Sequence, residues 1–179
     1  MGTWAELPGD NIKEKDSATW TITRHFRSTG LFKPDTAENA YNIQIADEKG
    51  KSDFIAHLFS LDGKQYIDFY PAGVNFINDL TGYHMVCTHS LARVKFSANV
   101  IIIHWYNAKW MVDLFNRNKI KIPHERVPYD IDYKNPDNEQ VILTASTAEL
   151  QKFVRKYGND SQAFRKGNDI TFVLVREKH

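Results

Sequence analysis

The chain has 179 residues, of which 42% are hydrophobic and 25% are charged. This length suits a single domain over residues 1–179, and the composition excludes a disordered or collagen-like chain. The formal net charge is +1, so the sequence lacks the excess of Lys and Arg that is typical of nucleic-acid-binding proteins.

The sequence also lacks the features of a membrane-spanning or targeted chain. The longest uncharged apolar stretch covers residues 100–103, far shorter than the roughly 20 residues of a transmembrane helix. The first residues, Met1-Gly2-Thr3-Trp4, contain neither the basic nor the apolar part of a signal peptide. Cys87 is the only cysteine, which excludes an internal disulfide, and its apolar surroundings predict a buried, unreactive thiol.

Three segments near the middle of the chain alternate between apolar and polar residues. They cover residues 41–45, 53–61 and 64–71, and short turns separate them. Alternation with period two predicts antiparallel strands, and Asp62-Gly63 is a strong hairpin signal.

The turns also predict how these strands pair. We expect Leu61 to lie opposite Lys64 and Ala46 to lie opposite Lys51. One face then carries Tyr41, Ile43, Phe54, Ala56, Leu58, Ile67 and Phe69. The other face is also partly apolar, with Ile55, His57, Phe59, Tyr66, Asp68 and Tyr70. Because an open sheet would expose these aromatic groups to water, we expect the sheet to curl into a barrel or to be covered by another layer.

The connection over residues 71–82 is apolar, and we predict a flap, lid or short helix there. Its candidate lid residues are Val74, Phe76, Ile77 and Leu80.

The chain after residue 82 mixes strands and helices. Strands are predicted at residues 83–89, 91–96, 100–106, 119–122, 141–143 and 170–175. Asn107 can cap a helix that ends near Phe115, and residues 127–139 are rich in acids and proline, which predicts an exposed loop. Ser146 and Glu149 form a capping-box pattern at the start of a helix that ends at Gly158.

The predicted fold is mainly β. About eight to ten antiparallel strands favour an up-and-down barrel, with a C-terminal helix before the last strand and one or two short helices elsewhere.

No catalytic or phosphate-binding motif occurs in the sequence, so we predict no cofactor and favour a protein that is not an enzyme. The seven histidines could suggest a metal, but His84 and His89 point to opposite faces of one strand, and no carboxylate has ligand spacing to His89 or His104. The sequence therefore predicts no metal site.

His57 and Asp68 lie opposite each other in the predicted register. They are either an Asp-oriented general base or a cross-strand pair that stabilises the register.

Aromatic residues on several strands could line the barrel interior or simply fill it. If a cavity exists, polar groups are needed among the rings, and Arg93 could bind an anionic head group there or be solvated. The candidate ligand-binding residues are Trp20, His89, Arg93, His104 and Tyr106.

Gly2-Thr3-Trp4 at the start of a chain of antiparallel strands resembles the lipocalin-like (calycin) barrels. In that superfamily the tryptophan of G-x-W closes one end of the barrel and a late arginine packs over it. The resemblance implies these structural roles for Trp4 and Arg176.

The chain also resembles a group of bacterial lipocalin-like lipoproteins. The matching segments are Gly2-Thr3-Trp4 and residues 66–71, 88–94, 123–126 and 143–153. This resemblance implies a signal peptide and a lipidated cysteine upstream of Met1, and a location in the periplasm or cell envelope.

The sequence therefore predicts an exported barrel that binds a small hydrophobic or amphipathic ligand. Two alternatives remain. One is an interaction module with a filled barrel, which docks a partner or a second copy through Phe59, Tyr66 and Tyr70. The other is a hydrolase or isomerase that uses His57 and Asp68, or His89.

Overall fold

The computed structural model describes residues 1–7, 17–28, 34–73, 87–128, 139–164 and 171–177. These residues form ten strands and two helices. The elements are β1 (Gly2–Glu6), β2 (Thr19–Ser28), β3 (Pro34–Asp47), β4 (Gly50–Leu61), β5 (Lys64–Ala72), β6 (Ser90–Phe96), β7 (Val100–Trp105), α1 (Ala108–Asn116), β8 (His124–Pro128), β9 (Glu139–Leu143), α2 (Thr147–Tyr157) and β10 (Thr171–Arg176).

Eight of the strands form a closed antiparallel barrel in the order β1-β10-β7-β6-β5-β4-β3-β2. The first strand closes the sheet, because β1 pairs with β2 on one side and with β10 on the other. Closure leaves no strand of the barrel with an unpaired edge. The predicted fold class is confirmed, including the helix α2 before the last strand.

The hairpin between β4 and β5 has the predicted register. Leu61 lies opposite Lys64, and Ala46 lies opposite Lys51 in the preceding hairpin. Asp62 and Gly63 have φ angles of 50° and 73°, the left-handed conformation that a two-residue turn of this kind requires.

The predicted apolar face is the inner face of the barrel. Four of its seven side chains are buried in one hydrophobic core, and the other three are partly buried and pack against that core. Further inward-facing residues come from the other strands: Trp4, Trp20, Ala92, Val94, Ile101, Ile103 and Leu174. Burial of this apolar surface is the main force that stabilises the barrel.

The chain divides into two compact units, Met1–Trp105 with Lys166–His179, and Tyr106–Arg165. The first contains the barrel, and the second contains α1, the β8–β9 hairpin and α2. The prediction of a single domain over residues 1–179 stays a prediction.

Both helices of the second unit begin at the predicted caps. The Asn107 side chain accepts a hydrogen bond from the Trp110 backbone N–H at 3.2 Å. Ser146 and Glu149 form the complete capping box, and α2 ends at Gly158. Each cap satisfies backbone N–H groups that the first turn of a helix leaves without partners.

One predicted strand is wrong. Residues 119–123 have no regular structure, although Ile120 and Ile122 are both buried as the alternation suggested. The strand begins instead at His124, which pairs with Leu143 of β9. The prediction failed because a strand forms only where a partner strand lies beside it, and the local alternation of residues does not reveal where β9 lies.

Other boundaries differ slightly. Residues 87–89 do not belong to a strand, and residues 83–86 lie outside the described residues. The ends of the predicted loop over 127–139 belong to β8 and β9, and residues 129–138 lie outside the described part.

Candidate functional site

Five aromatic side chains lie together inside one end of the barrel, where β1 and β3 end and β2 begins. We call them the aromatic cluster: Trp20, Phe54, Phe69, Trp105 and Phe172. Neighbouring ring centroids are 4.7–6.4 Å apart, with tilted or edge-to-face geometry. Trp20 and Phe69 are buried, whereas the other three rings are half-buried. The cluster therefore combines two buried rings with three rings that remain partly exposed to solvent.

A carboxyl group stands beside this cluster. Glu6 lies opposite Leu174 and two residues after Trp4, so its side chain continues the inward-facing row of β1. Its Oε2 atom accepts a hydrogen bond from Trp20 Nε1 at 3.1 Å. Burial raises the pKa of Glu6, the hydrogen bond from Trp20 opposes that rise, and the charge of Asp47 adds to it.

Asp47 lies at the same end of the barrel, where β3 turns into β4. Its Oδ1 atom accepts hydrogen bonds from the backbone N–H groups of Lys49 and Gly50 at 2.8 and 3.0 Å. This bonding holds the carboxylate in place at the end of the inward-facing row of β3. We call Glu6 and Asp47 together the acidic rim.

The opposite end of the barrel carries arginines. Arg24 lies over the Tyr41 ring, with its Cζ atom 5.2 Å from the ring centroid. Arg176 lies over the Trp4 ring at 5.9 Å, and its Nη2 atom donates a hydrogen bond to the Met1 carbonyl at 3.3 Å. We call Arg24 and Arg176 the arginine rim. The contact between Trp4 and Arg176 is the one that the lipocalin resemblance implies, while its role in closing the barrel stays a prediction.

Trp4 contributes a second indole N–H group inside the barrel. Its side chain is only 6% exposed, and it lies directly opposite Trp20. Among the described residues, Trp4 Nε1 has no hydrogen-bond acceptor. A buried donor without an acceptor costs about 1–3 kcal/mol, so an acceptor from a bound molecule would be favourable there.

Of the predicted ligand-binding residues, only Trp20 is found in the aromatic cluster. Arg93 lies between Ala92 and Val94, which face inward, so Arg93 faces outward. His104 alternates in the same way with Ile103, and it is the cross-strand neighbour of Arg93. The expectation that these two residues join Trp20 inside the barrel is therefore corrected.

The outward-facing pair is nevertheless well packed. His104 is only 4% exposed, and its Nδ1 atom lies 3.1 Å from Thr171 Oγ1. Arg93 is half-buried and lies opposite Tyr66. A ligand-binding role for the two stays a prediction.

His89 lies just before β6, on the outside of the barrel. Its Nδ1 atom is 2.8 Å from Asp68 Oδ2, and its ring packs against Tyr70 in a tilted arrangement, with ring centroids 4.8 Å apart. The predicted register of His57 with Asp68 is confirmed, but the carboxylate of Asp68 bonds to His89. Among the described residues, Asp68 therefore pairs with His89, which directly precedes β6, and not with His57.

Tyr106 belongs to the second compact unit. Its ring packs against Trp110, Phe153 and Phe164 at centroid distances of 5.7, 6.0 and 5.1 Å. Within that unit it fills an aromatic core. The candidate lid residues Val74, Phe76, Ile77 and Leu80 lie outside the described residues.

The proposed docking face is smaller than predicted. Phe59 and Tyr66 stack on each other at 5.6 Å, but Tyr66 is only 2% exposed. Of the three residues, Tyr70 is the most exposed. Docking through this face stays a prediction.

Within the described part of the chain, no group of three or more His, Cys, Asp or Glu side chains could hold a metal ion. No described helix is long and apolar enough to cross a membrane. Cys87 is half-buried.

Glu6 is the site residue that sequence reasoning missed. A single carboxylate in a five-residue strand gives no periodic signal. One clue was available: if Trp4 faces inward, as the G-x-W resemblance implies, then Glu6 two residues later faces inward too.

Comparisons of the chain with protein-family models, with curated proteins and with solved structures gave no match.

Proposed function

We propose that the protein binds a small hydrophobic or amphipathic molecule at the acidic rim of the barrel, against the aromatic cluster, without catalysing a reaction. The observation that supports this most is an inward-facing carboxyl group, Glu6, beside aromatic rings that are only half-buried.

Stability alone does not account for this arrangement. The interior of a barrel is most stable when it is apolar, and a partly buried carboxylate disfavours folding when it is ionised. Polar groups that break the rules of core packing are concentrated at functional sites. A ligand with an apolar body and a polar group matches both the rings and the carboxyl group.

The architecture agrees with this proposal. Closed eight-stranded antiparallel barrels can enclose one small ligand at an open end. Together with the resemblance to lipocalin-like lipoproteins, it leads us to propose an exported protein of the periplasm or cell envelope, with a lipid anchor upstream of Met1.

Native mass spectrometry of the freshly purified protein, followed by titration with the neutral fluorescent probe N-phenyl-1-naphthylamine, tests the proposal. We expect a retained small molecule or saturable binding of one probe per chain. Phe172→Leu in the aromatic cluster should weaken probe binding about threefold to tenfold, because one stacking surface is lost.

The matched control is Phe96→Leu, since Phe96 is an aromatic residue of the barrel that is 53% exposed and belongs to the opposite end. This substitution should leave probe binding unchanged. The proposal fails if no molecule is retained and no saturable binding occurs, or if both substitutions weaken binding equally.

A further inference from the structure

Resting on the function proposed above, we infer that the ligand of the acidic rim is an organic cation, an amine or quaternary ammonium group attached to an apolar body. The inference follows from the combination of aromatic faces, carboxylates and the distribution of charge along the barrel.

The aromatic cluster provides the first part of such a site. Aromatic rings attract cations through the negative potential of their faces, and tryptophan does so most strongly. Trp105, Phe54 and Phe172 are half-buried at the acidic end, and Trp20 donates a hydrogen bond to Glu6. Cages of this kind are a common way to bind quaternary ammonium groups.

The charges at the rim provide the second part. Glu6 and Asp47 are close enough for the charge of Asp47 to act on Glu6. Among the described residues, none of the inward-facing positions at this end holds a Lys, Arg or His. Two carboxylates without a basic neighbour on the inner face attract a cation and repel an anion.

The arginine rim shows the contrast within the same barrel. Arg24 lies over Tyr41 and Arg176 lies over Trp4, so each guanidinium is already stacked on a ring of the chain itself. At that end, the cations that lie over the aromatic rings are arginine side chains of the protein itself. At the acidic end the described residues supply aromatic rings and carboxylates but no inward-facing cation, and a ligand would bring that cation.

The indole N–H of Trp4 is available to a ligand that extends from the acidic rim past Trp20. This buried N–H group has no acceptor among the described residues, and Trp4 lies next to Trp20 in the barrel. An oxygen atom on the ligand could accept this hydrogen bond. Suitable probes therefore carry an ester oxygen as well as a cationic head.

The test compares three probes by isothermal titration calorimetry on the full chain. Hexanoylcholine carries the cation, 3,3-dimethylbutyl hexanoate is its neutral isostere, and hexanoate is an anion. We expect hexanoylcholine to bind about tenfold tighter than the neutral ester, and hexanoate to bind least. Glu6→Gln should remove most of the difference in affinity between hexanoylcholine and the neutral ester. The glutamine amide can still accept the Trp20 hydrogen bond, but it carries no charge.

Glu177→Gln is the matched control, because Glu177 is an exposed carboxylate at the opposite end of the barrel. It should leave the preference for the cation unchanged. Asp47→Asn is a second variant in case Glu6→Gln does not fold, since an asparagine can still accept the two backbone hydrogen bonds of the turn.

The outcomes separate the two proposals. Equal binding of hexanoylcholine and the neutral ester overturns the inference and leaves the proposed function standing. A preference for the cation that survives both rim substitutions also overturns it. If neither these probes nor N-phenyl-1-naphthylamine binds, both proposals fail.

Discussion

The two ends of the barrel differ in how their charged groups are satisfied. At the arginine rim, both guanidinium groups stack on aromatic rings, and Arg176 also donates a hydrogen bond to the Met1 carbonyl. At the acidic rim, the Glu6 carboxylate accepts one hydrogen bond from the described residues, that of Trp20, and the nearby charge of Asp47 opposes its ionisation. At the first end the guanidinium groups lie over aromatic rings, whereas at the second no inward-facing basic residue in the described part of the chain neutralises the carboxylates.

Burial by itself does not distinguish the two ends of the barrel. Trp4 and Trp20 are both buried, and they lie opposite each other on neighbouring strands. What distinguishes their surroundings is the sign of the charge beside each ring. The comparison can be tested by removing one group at a time.

The largest effect is expected from Phe69→Ala. Phe69 is fully buried in the aromatic cluster and contacts Trp20, Phe54 and Trp105. Its loss leaves a cavity, so the free energy of unfolding in urea should fall by about 3–5 kcal/mol. Tyr70→Ala, at the next position but on the outer face, should cost less than about 1 kcal/mol. Similar costs for the two substitutions would contradict the inward and outward assignment of β5.

A smaller effect is expected at the arginine rim. Arg176→Ala removes the cation from the Trp4 ring and one hydrogen bond, and it should lower the free energy of unfolding by about 0.5–1 kcal/mol. Arg176→Lys keeps the charge and should recover part of this loss. If Arg176→Ala has no effect on thermal unfolding, the arginine rim does not stabilise the barrel.

At the acidic rim, the corresponding substitution should change stability in the opposite direction. The pKa of Glu6 is raised in the folded chain, so the folded state binds the proton more tightly than the unfolded state, and stability falls as the pH rises above about 4.5. Glu6→Gln should therefore increase the free energy of unfolding at pH 7. We expect a gain below about 1 kcal/mol, because water still reaches part of the side chain.

The pH dependence is the control for this prediction. Below the ordinary pKa of a glutamate the wild-type side chain is protonated in both states, so the gain from Glu6→Gln should disappear there. A loss of stability at pH 7 would show that the ionised carboxylate contributes to folding. In that case Glu6 would have a structural role, and the contrast between the two rims would no longer hold.

The parts of the fold that local chemistry determines could be predicted from the sequence. The Asp62-Gly63 turn fixes the register of β4 and β5, and the register then fixes which side chains face inward. The caps at Asn107 and Ser146 could also be predicted, because in each case a short polar side chain accepts a hydrogen bond from a backbone N–H only three residues ahead.

The parts that depend on distant pairing could not be predicted. No tight two-residue turn links β6 to the strand before it, so the face on which Arg93 and His104 lie was not determined by alternation near them. The strand predicted at residues 119–122 failed for the same reason. Alternation from Trp4 could place Glu6 on the inner face, but its contact with Trp20, 14 positions away, depends on the pairing of β1 with β2.

The smallest effect is expected from the ion pair on the outer face. His89 and Asp68 lie 2.8 Å apart, but their side chains are 61% and 30% exposed. Exposed pairs contribute little because water and salt screen the attraction, so a double-mutant cycle with Asp68→Ala and His89→Ala should give a coupling energy below about 1 kcal/mol. Neither substitution should alter the binding of N-phenyl-1-naphthylamine or hexanoylcholine. A coupling above about 2 kcal/mol, or loss of probe binding in His89→Ala, would move the functional centre from the acidic rim to the outer face of β5 and β6.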